Sequence, residues 1–496
     1  MKYNNLLPLS LILVFLFIIN LSSFRNGHDW GDDFSMYIAQ AKSIVDGNIG
    51  KLIEMSKYRY YNSGPTVQAP VLYPWGYPLL LTSVYYFFGL SLLPMKIFTN
   101  LFFLFSLPLI FFMFKDKIGR PQSFLVIIIL GLNPQFLKFE DNILSDIPFM
   151  FFSLLTIFFI QQFIIGKRIF YNETLSNLLI GVAIFISWAI RSNGIILLPT
   201  LFVVQLVENM QAVRNFTIIS WRNVKFLIPY GVFFALTIIF MIILPPESVG
   251  SYYDQLKCVT FYTLLSNVGY YLILPFDFFS DAINLSFSII GVTLYIITIP
   301  FFYFGIVKKF RENYLYIIFS FFLIIMLIIL PFIQGLRYIF PILPFYLFFL
   351  FVGLNEKNYF LQFHCMKKYY NLNFMLLFGL TIIFVFCVTV SSRTIHTMIN
   401  KLETIDGPYT KESVGLFDYI SKHTNNEDVI IFYKPRVLSL YTDRRAVALS
   451  DIKSIMASKA SYIACKKNDE VDNILRNSKL SRNKIFRNST FNLYRK

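Results

Sequence analysis

Long apolar runs recur along the chain, and they constrain its fold more than any other feature of the sequence. A helix needs about 20 consecutive apolar residues to cross a bilayer, and the first such run extends from Leu6 to Phe24. Of the 496 residues, 56% are hydrophobic and only 15% are charged, whereas soluble domains carry about 25% charged residues. This composition excludes a disordered chain and a soluble multidomain enzyme, and a count of four cysteines excludes a disulfide-stapled secreted scaffold. The sequence predicts a polytopic α-helical membrane protein.

The distribution of basic residues predicts how the helices cross the membrane. The net charge is +16, and basic residues accumulate in the cytoplasmic loops of membrane proteins. We expect Leu6–Phe24 to be an uncleaved helix with a cytoplasmic N-terminus. Pro78–Leu93 is expected to lie along the membrane surface, because its crossing would move every later basic cluster to the outer side. The cytoplasmic clusters are then Lys115, Lys117 and Arg120; Lys167 and Arg168; Arg214, Arg222 and Lys225; Lys308, Lys309 and Arg311; and Lys357, Lys367 and Lys368.

This assignment gives about eleven spanning helices. They are expected at 6–24, 95–114, 121–137, 147–165, 176–190, 194–208, 226–244, 287–306, 314–334, 338–354 and 372–392.

The polar segments divide the chain into a membrane part and an outer tail. Residues 1–392 are expected to form a transmembrane domain whose first outer loop, 25–94, carries surface helices, and a second long outer loop runs from about Pro245 to Ser286. Residues 393–496 are expected to form a small soluble α/β domain on the outer face. In that tail, helical spacing covers Gly415–His423, and strands are predicted at Asp428–Tyr433, Arg445–Leu449 and Tyr462–Cys465.

Two adjacent carboxylates open the first outer loop, just beyond the first membrane helix. Helical spacing from Asp33 puts Tyr37 on the same face of a helix, four residues further on. A carboxylate in such a place can act as a general base, but an Asp at a helix start is also a common N-cap. Asp32 could cap the helix while Asp33 takes part in chemistry, and the spacing alone leaves both interpretations open.

Two arginines, Arg191 and Arg337, fall at the outer ends of predicted helices. A guanidinium offers a planar pair of donors that suits phosphate oxygens, although arginine is also common at membrane interfaces, where its charged end reaches water. Asp146 precedes another helix and could orient Asp33 or an acceptor, bind a metal, or cap that helix. Glu140 and Asp141 are expected to form a solvated turn.

Metal and nucleotide sites have little support in the sequence. The four histidines, His28, His364, His396 and His423, are scattered without ligand spacing. A weak divalent site at His28 and its acidic neighbours is a further metal alternative, and a solvated loop histidine is the simpler interpretation. The chain lacks a glycine-rich phosphate loop, and it lacks a basic, aromatic patch on a soluble core of the kind that binds nucleic acid. We predict no cofactor, no metal and no nucleic-acid partner.

Several short motifs, taken in order, resemble the GT-C superfamily of polytopic glycosyltransferases, including its protein O-mannosyltransferase and aminoarabinose transferase branches. Asp33 matches the catalytic Asp of an Asp-Glu-x-x-Tyr motif that ends here at Tyr37, with Phe34 in place of the Glu. Met36 stands where the aminoarabinose branch has a basic residue, which argues against aminoarabinose as the donor sugar. The other matching segments are Tyr73 to Leu81, Leu144 to Phe149, Arg337 to Pro344, Lys434-Pro435-Arg436 and Asp443-Arg444-Arg445.

The resemblance implies an inverting glycosyltransferase that moves a sugar from a polyprenyl-phosphate donor to an acceptor hydroxyl, with Asp33 as general base. It implies a site at the outer face of a bacterial plasma (inner) membrane, an acceptor that is a protein, a lipid or a glycan, and contact with membrane lipids. The implied catalytic residues are Asp33, Asp146 and Asp32, and the implied substrate-binding residues are Arg337, Tyr338, Arg191 and Tyr37.

Two other classes of function remain as alternatives. A transporter or flippase of a polyprenyl-linked or small polar substrate would usually show internal repeats and polar sites at the membrane midplane. The ionisable residues gather instead near the outer interface, and the sequence has no visible repeat. A membrane scaffold that recruits partners through its tail would leave the Asp32–Asp33 loop without a role. We expect the tail to control acceptor access rather than to supply an acid or base.

Overall fold

Helices form most of the chain, and one small sheet lies near its C-terminal end. The computed structural model describes residues 6–64, 70–168, 170–209, 224–246, 256, 259–279, 285–331, 333, 335–355, 378–390, 392, 405–476 and 479–496. The helices are α1 (Leu6–Ser23), α2 (Asp32–Val45), α3 (Ile49–Asn62), α4 (Gly76–Phe88), α5 (Leu92–Phe114), α6 (Arg120–Gly131), α7 (Pro134–Glu140), α8 (Asp146–Phe159), α9 (Glu173–Ile190), α10 (Leu197–Glu208), α11 (Ile228–Ile243), α12 (Phe261–Ile273), α13 (Leu285–Lys309), α14 (Tyr314–Ile329), α15 (Leu343–Asn355), α16 (Phe378–Val390), α17 (Lys411–His423), α18 (Pro435–Thr442), α19 (Ile452–Ala457) and α20 (Glu470–Arg476).

Several helices have the length and composition of membrane spans. Within the described ranges, six helical segments are long and apolar enough to cross a bilayer, and a bent pair would make a seventh. The six are Leu6–Ser23, Leu92–Phe114, Asp146–Ile165, Glu173–Ile190, Lys225–Ile243 and Gly291–Lys309. Shorter apolar helices lie at Ser192–Glu208, Tyr314–Ile329, Leu343–Asn355 and Phe378–Val390. Each of these segments overlaps one of the spans predicted from the sequence, although the first six residues of the predicted span 372–392 lie outside the described residues.

The bent pair consists of α6 and α7, whose axes differ by 54°. Pro134 has no amide hydrogen with which to continue α6, so the helix stops before it. The Asn133 side chain then accepts hydrogen bonds from the backbone N–H groups of Gln135 (3.0 Å) and Phe136 (3.2 Å) and starts α7. The sequence prediction of one straight span over 121–137 misses this break.

The first outer loop folds into α2, α3 and α4, as the sequence predicts for a loop with surface helices. Helix α4 has 13 residues, which at 1.5 Å per residue is about 20 Å. The hydrocarbon core of a bilayer is about 30 Å thick. Helix α4 is shorter than this and is not among the apolar helices identified as possible spans in the described residues. The placement of Pro78–Leu93 along the membrane surface stays a prediction.

One helix, α12, falls where the sequence predicts only a loop between Pro245 and Ser286. The Thr260 side chain caps its start by accepting a hydrogen bond from the Thr263 N–H (3.2 Å). Asn267 fixes it to the end of α14 by donating to the carbonyls of Ile328 (2.9 Å) and Leu330 (2.7 Å). Polar residues interrupt its apolar run, so the segment is too short and too mixed to be recognised from hydropathy.

Helices α13 and α15 pack with their backbones in contact. A Cβ atom added at Gly305 would lie 1.9 Å from the carbonyl oxygen of Phe349, and one added at Gly353 would lie 1.9 Å from that of Phe301. Glycine is therefore required on both helices for this approach. Small residues that allow close backbone contact are a common means of association between membrane helices.

The tail folds around a five-stranded sheet in the order β2-β1-β3-β5-β4. Strand β1 pairs in parallel with β2 and β3, while β5 pairs antiparallel with β3 and β4. The predicted helix and three strands lie within or overlap α17, β1, β2 and β3, whereas α18, β4 and β5 are not foreseen. The predicted domain boundary at 392/393 adjoins residues outside the described ranges. The strands are β1 (Val429–Ile431), β2 (Arg445–Val447), β3 (Tyr462–Lys466), β4 (Lys484–Arg487) and β5 (Phe491–Arg495).

The tail shares one apolar cluster with the first outer loop. Phe34 and Ile38 of α2 are fully buried in the same cluster as Leu416 of α17 and Leu438 of α18. Burying each large apolar side chain stabilises the packed state by about 1.5–3 kcal/mol. The start of α2, which carries Asp32 and Asp33, is thus held between the membrane helices and the tail.

The contact between α13 and α15 predicts opposite effects for two glycine substitutions. Gly353→Ala should lower the free energy of unfolding by about 1–3 kcal/mol, because the added Cβ forces the two helices apart. Gly231→Ala in α11 should be neutral or stabilising by up to about 1 kcal/mol, since its Cβ would meet nothing within 4 Å. Thermal unfolding of both variants in the same detergent tests this, and equal shifts would contradict the described packing.

Candidate active site

Helix α2 begins with the two carboxylates that the sequence singles out. Its N-cap is Gly31, in an extended conformation and without a side-chain cap bond, and Asp32 and Asp33 occupy the first turn. The interpretation of Asp32 as the N-cap is therefore wrong. Because Gly31 takes that position, both carboxylates lie in the first turn near the positive end of the helix dipole, which favours their ionised form.

Asp33 lies at the centre of the candidate site. Its Oδ1 accepts a hydrogen bond from the Tyr73 hydroxyl (2.5 Å), and its Oδ2 lies 3.3 and 3.4 Å from the two terminal nitrogens of Arg337. One third of the Asp33 side chain remains exposed. The carboxylate is thus held by groups on both oxygens and is still accessible to a substrate.

Asp146 lies deeper and pairs with the second arginine. Its Oδ1 accepts a hydrogen bond from Arg191 at 2.6 Å, and its Oδ2 is 3.8 Å from Arg337. Only 2% of the Asp146 side chain is exposed. The N-cap of α8 is Ser145, which makes no side-chain cap bond, so the interpretation of Asp146 as a helix cap is wrong. The two predicted arginines and the two predicted aspartates form one continuous group of charges.

Aromatic side chains enclose these charges. The guanidinium of Arg191 lies 4.3 Å from the centre of the Tyr338 ring, and that of Arg337 lies 5.3 Å from it. Such stacking stabilises a cation by about 0.5–2 kcal/mol. The Tyr37 ring packs against the Tyr73 ring, with centroids 4.8 Å apart.

Tyr37 also joins the site by a hydrogen bond. Its hydroxyl is 2.8 Å from the Ser145 hydroxyl, which also receives a 3.4 Å contact from Arg191. All the residues predicted for substrate binding therefore lie in this one group.

The two neighbouring aspartates differ in protonation behaviour. Burial acts to raise the pKa of Asp33, but Arg337, the Tyr73 hydrogen bond and Arg436 outweigh it and leave the pKa below its usual value. Burial raises the pKa of Asp32, and the nearby cations Arg436, Lys434 and Arg59 offset this only in part. Asp33 is therefore ionised at neutral pH, as a general base must be.

Two residues of the site carry no role in the sequence prediction. Arg436, at the start of α18, donates hydrogen bonds to the Tyr73 hydroxyl (3.0 Å) and to the Pro70 carbonyl (2.5 Å). Tyr73 connects it to Asp33. Both residues fall in motifs that resemble the GT-C superfamily. Their place in those motifs is the sequence feature that could have identified them as site residues. The tail thus reaches the site through a cation rather than through an acid or base.

The prediction of a solvated turn at Glu140 and Asp141 is wrong, because both side chains are buried. Asp141 pairs with Lys96 at 2.7 Å and with the Arg25 side chain. The Glu140 carboxylate accepts hydrogen bonds from Asn20 and Asn100. Because of the bend between α6 and α7, these two acidic residues pack against the other helices. The sequence pattern alone does not reveal this bend.

His28 is also buried rather than solvated. Its ring stacks on Phe34 with centroids 3.9 Å apart, and its Nδ1 is 3.2 Å from an oxygen of Asp29. In the part of the chain that the structure describes, no group of three or more His, Cys, Asp or Glu side chains could hold a metal ion. His364, His396 and Cys258 lie outside that part. The expectation of no cofactor and no metal stays a prediction.

Comparison with known proteins gives a clear result for the fold. No family model and no curated protein matches the sequence. Among solved structures, ArnT from Cupriavidus metallidurans bound to undecaprenyl phosphate is similar to the whole of this chain and 98% of its own, with a TM-score of 0.61 and 10% sequence identity. The apo state of that ArnT is similar with a TM-score of 0.58, 12% identity and coverage of 98% and 97%.

A second similar structure comes from an archaeal protein. The oligosaccharyltransferase AglB from Archaeoglobus fulgidus, in complex with an inhibitory peptide and a dolichol-phosphate, matches 94% of this chain and 70% of its own. Its TM-score is 0.55 at 10% identity. ArnT and AglB are both GT-C glycosyltransferases. The chain therefore has the fold of the GT-C glycosyltransferases, which confirms the resemblance recognised in its sequence motifs.

Proposed function

We propose that the protein is an inverting glycosyltransferase that transfers a sugar from a polyprenyl-phosphate donor to an acceptor hydroxyl. The observation that carries this proposal is the partly exposed Asp33 carboxylate, held beside the cations Arg337 and Arg191 on a GT-C fold. The presence of undecaprenyl phosphate in the ArnT structure and of dolichol-phosphate in the AglB structure supports a lipid phosphate as the leaving group.

In the proposed reaction, Asp33 takes the proton of the acceptor hydroxyl as that oxygen attacks the anomeric carbon. A new bond forms between the acceptor oxygen and the sugar, and the bond between the sugar and the phosphate oxygen breaks on the opposite face. The leaving phosphate gains negative charge, which the guanidinium groups of Arg337 and Arg191 stabilise. Tyr37 and Tyr338 line this region and orient the donor.

Arg337 can exchange its contact with Asp33 for a contact with the donor phosphate when the donor binds. Its nitrogens are 3.3 and 3.4 Å from the carboxylate, longer than the 2.7–2.9 Å typical of a strong charge-assisted hydrogen bond. A donor phosphate would draw Arg337 toward itself. Since Arg337 is the largest of the influences that lower the pKa of Asp33, its departure makes Asp33 a stronger base when the donor is in place.

We assign Asp146 a positioning role rather than a catalytic one. It is almost completely buried and already bonded to Arg191, so it can fix the direction of that guanidinium but has little access to an acceptor. Asp32 has no such partner and lies toward the tail, where Arg436 and Lys434 act on it. We propose that it contributes negative charge beside the base without touching the reacting atoms.

The proposed membrane arrangement has eleven spans. This count requires that the bent pair crosses the membrane as one span and that the four shorter apolar helices and the six longer segments each cross it once. The basic clusters then face the cytoplasm, in keeping with the positive-inside bias. The first loop, the catalytic group and the tail from 393 onward lie on the outer side of a bacterial plasma (inner) membrane, where a lipid-linked donor and a protein, lipid or glycan acceptor meet.

Asp33→Asn should abolish sugar transfer. Loss of a general base typically lowers the rate by about 10²- to 10⁴-fold, while the fold is retained. The assay follows loss of label from a panel of radiolabelled polyprenyl-phosphate sugars, with a membrane extract as acceptor source. Asp418→Asn, at an exposed position of α17, is the matched control and should be as active as the wild type. Full transfer activity of Asp33→Asn would exclude Asp33 as the base, whereas no loss of label from any donor in the folded wild type would favour a transporter.

The acid side of the pH–rate profile should move when Arg337 is replaced. The kcat/KM for the donor reports the enzyme before the donor binds. In that state Arg337 contacts Asp33 and holds its pKa below the usual value of 3.8, so the wild-type kcat/KM should decline only at acid pH near or below that value. In Arg337→Gln the influence of burial prevails and raises the pKa of Asp33, so the decline should begin at higher pH. Arg337→Lys keeps the charge and should shift less. An identical acid limb in all three proteins would show that Arg337 does not act on the base.

Asp146→Asn should reduce stability more than Asp33→Asn. Removing the carboxylate at Asp146 breaks its buried 2.6 Å ion pair with Arg191, and breaking such a buried pair costs about 3–5 kcal/mol. Asp33 is partly exposed and its contacts with Arg337 are long, so its replacement should cost less. Thermal unfolding midpoints of the two variants in one detergent test the order, and a reversed order would contradict the positioning role of Asp146.

A further inference from the structure

A cavity of about 170 Å³ lies between the first outer loop and the tail. Its walls come from α2, α3 and α18 and do not include the donor-side arginines. Since a single water needs only about 10–15 Å³ of such space, the cavity has room for a chemical group of several atoms. The charged side chains that line it are Lys42, Asp46, Lys51, Arg59, Arg436 and Asp443.

Arg59 is the unusual member of this lining. Only 5% of the residue is exposed, and its Nε is buried without a hydrogen-bond partner. No side chain or carbonyl of the described residues accepts a hydrogen bond from its guanidinium. An uncompensated buried charge is costly, and burial, assisted by the nearby Arg436, lowers the pKa of Arg59 to about 9. Among the described residues no carboxylate forms an ion pair with this cation, and Asp32 acts on it only through its charge.

Arg436, on the facing helix, is in a similar state. It is 5% exposed, and its described hydrogen bonds go to the neutral oxygens of Tyr73 and Pro70. The hydroxyl of Ser439, one helical turn further on α18, is also buried without a partner. Two buried guanidinium groups and a free hydroxyl therefore line one space, a donor set that suits an oxyanion.

The other charged groups around the cavity do not neutralise these two arginines. Lys42 and Asp443 form an ion pair with each other at 2.9 Å. Asp46 and Lys51 lie at the exposed end of the lining. Asp32 acts on both arginines through its charge, but it forms no ion pair with either of them among the described contacts.

The cavity is connected to the base on the side away from the donor arginines. Arg436 donates to the Tyr73 hydroxyl, and Tyr73 donates to Oδ1 of Asp33, whereas Arg337 approaches Oδ2 of the same carboxylate. The two oxygens of Asp33 thus face two different cationic groups. If the group on the Oδ2 side holds the donor phosphate, the group on the Oδ1 side is placed for the acceptor.

We propose that this cavity is an acceptor subsite that binds an oxyanion, a phosphate or a carboxylate, through Arg59, Arg436 and Ser439. The inference rests on the proposed transferase function and specifies its substrate class: the acceptor carries a negative group close to the hydroxyl that receives the sugar. A neutral acceptor would leave both arginines without a counter-charge.

Anion binding can be measured without turnover. Thermal unfolding of the purified protein in detergent is followed during titration with inorganic phosphate, glucuronate or glucose at constant ionic strength. Phosphate, glucuronate or both should raise the unfolding midpoint saturably, and the more effective anion identifies the group, whereas glucose should have no effect. An Arg337→Gln background removes one of the two cations proposed for the donor phosphate and should keep this response. No response to either anion would overturn the proposal.

Arg59→Gln separates a binding role from a structural one. A buried guanidinium that serves to bind a ligand destabilises the protein when the site is empty. Arg59→Gln should therefore raise the unfolding midpoint in the absence of anion. It should also weaken the apparent affinity for the anion at least tenfold. Lys57→Gln removes one positive charge from the same helix outside the cavity and should retain the wild-type response. An anion response in Arg59→Gln equal to that of the wild type would overturn the proposal.

Activity then distinguishes this inference from the function on which it rests. In the transfer assay, the labelled product of the wild type should be retained by an anion-exchange resin, and a neutral product would overturn the inference alone. Absence of transfer from any donor in the folded wild type would overturn the proposed function, whatever the anion titration shows.

Discussion

The site depends on a single carboxylate whose two oxygens are held by different parts of the chain. Tyr73, supported by Arg436 of the tail, bonds to one oxygen of Asp33, and Arg337 from the loop before α15 approaches the other. Neither contact alone would orient the carboxylate, because a side chain at a helix start can rotate. Together they hold it in one plane between two cationic groups while leaving one third of it open.

This arrangement makes the tail part of the candidate site. Phe34 follows Asp33 directly and is buried with Leu416 and Leu438 of the tail. The same packing that anchors α2 therefore sets the position of Arg436 relative to Tyr73. A tail packed in another way would alter the contacts that hold Asp33, even though the tail contributes only a cation to the site.

Much of this organisation can be predicted from the sequence, for reasons that are local. The spans follow from long apolar runs, and Asp33, Asp146, Arg191 and Arg337 stand out as charges at the ends of such runs. Their mutual contacts could not be derived from spacing, because Asp33 and Arg337 are 304 residues apart. The resemblance to a family supplied the reason to group them.

The parts that were missed depend on tertiary contacts. Glu140 and Asp141 have the composition of an exposed turn, and only the bend at Asn133–Pro134 brings them to Asn20 and Lys96. Arg59 gives no signal in the sequence, because a basic residue on a polar helix normally faces water. Its burial accompanies the packing of α18 against α2 and of β2 against α3, which no local pattern encodes.

The burial of Asp141 has a consequence for the order in which the chain is assembled during synthesis. Arg25, just beyond the C-terminal end of α1, bonds to Asp141 through its backbone N–H and its side chain, and the two residues are 116 positions apart. The first helix must therefore enter the membrane with this cation unpaired. Its final placement waits until α7 has been made and inserted, so the N-terminal segment is the first to be synthesised and one of the later ones to be locked in place.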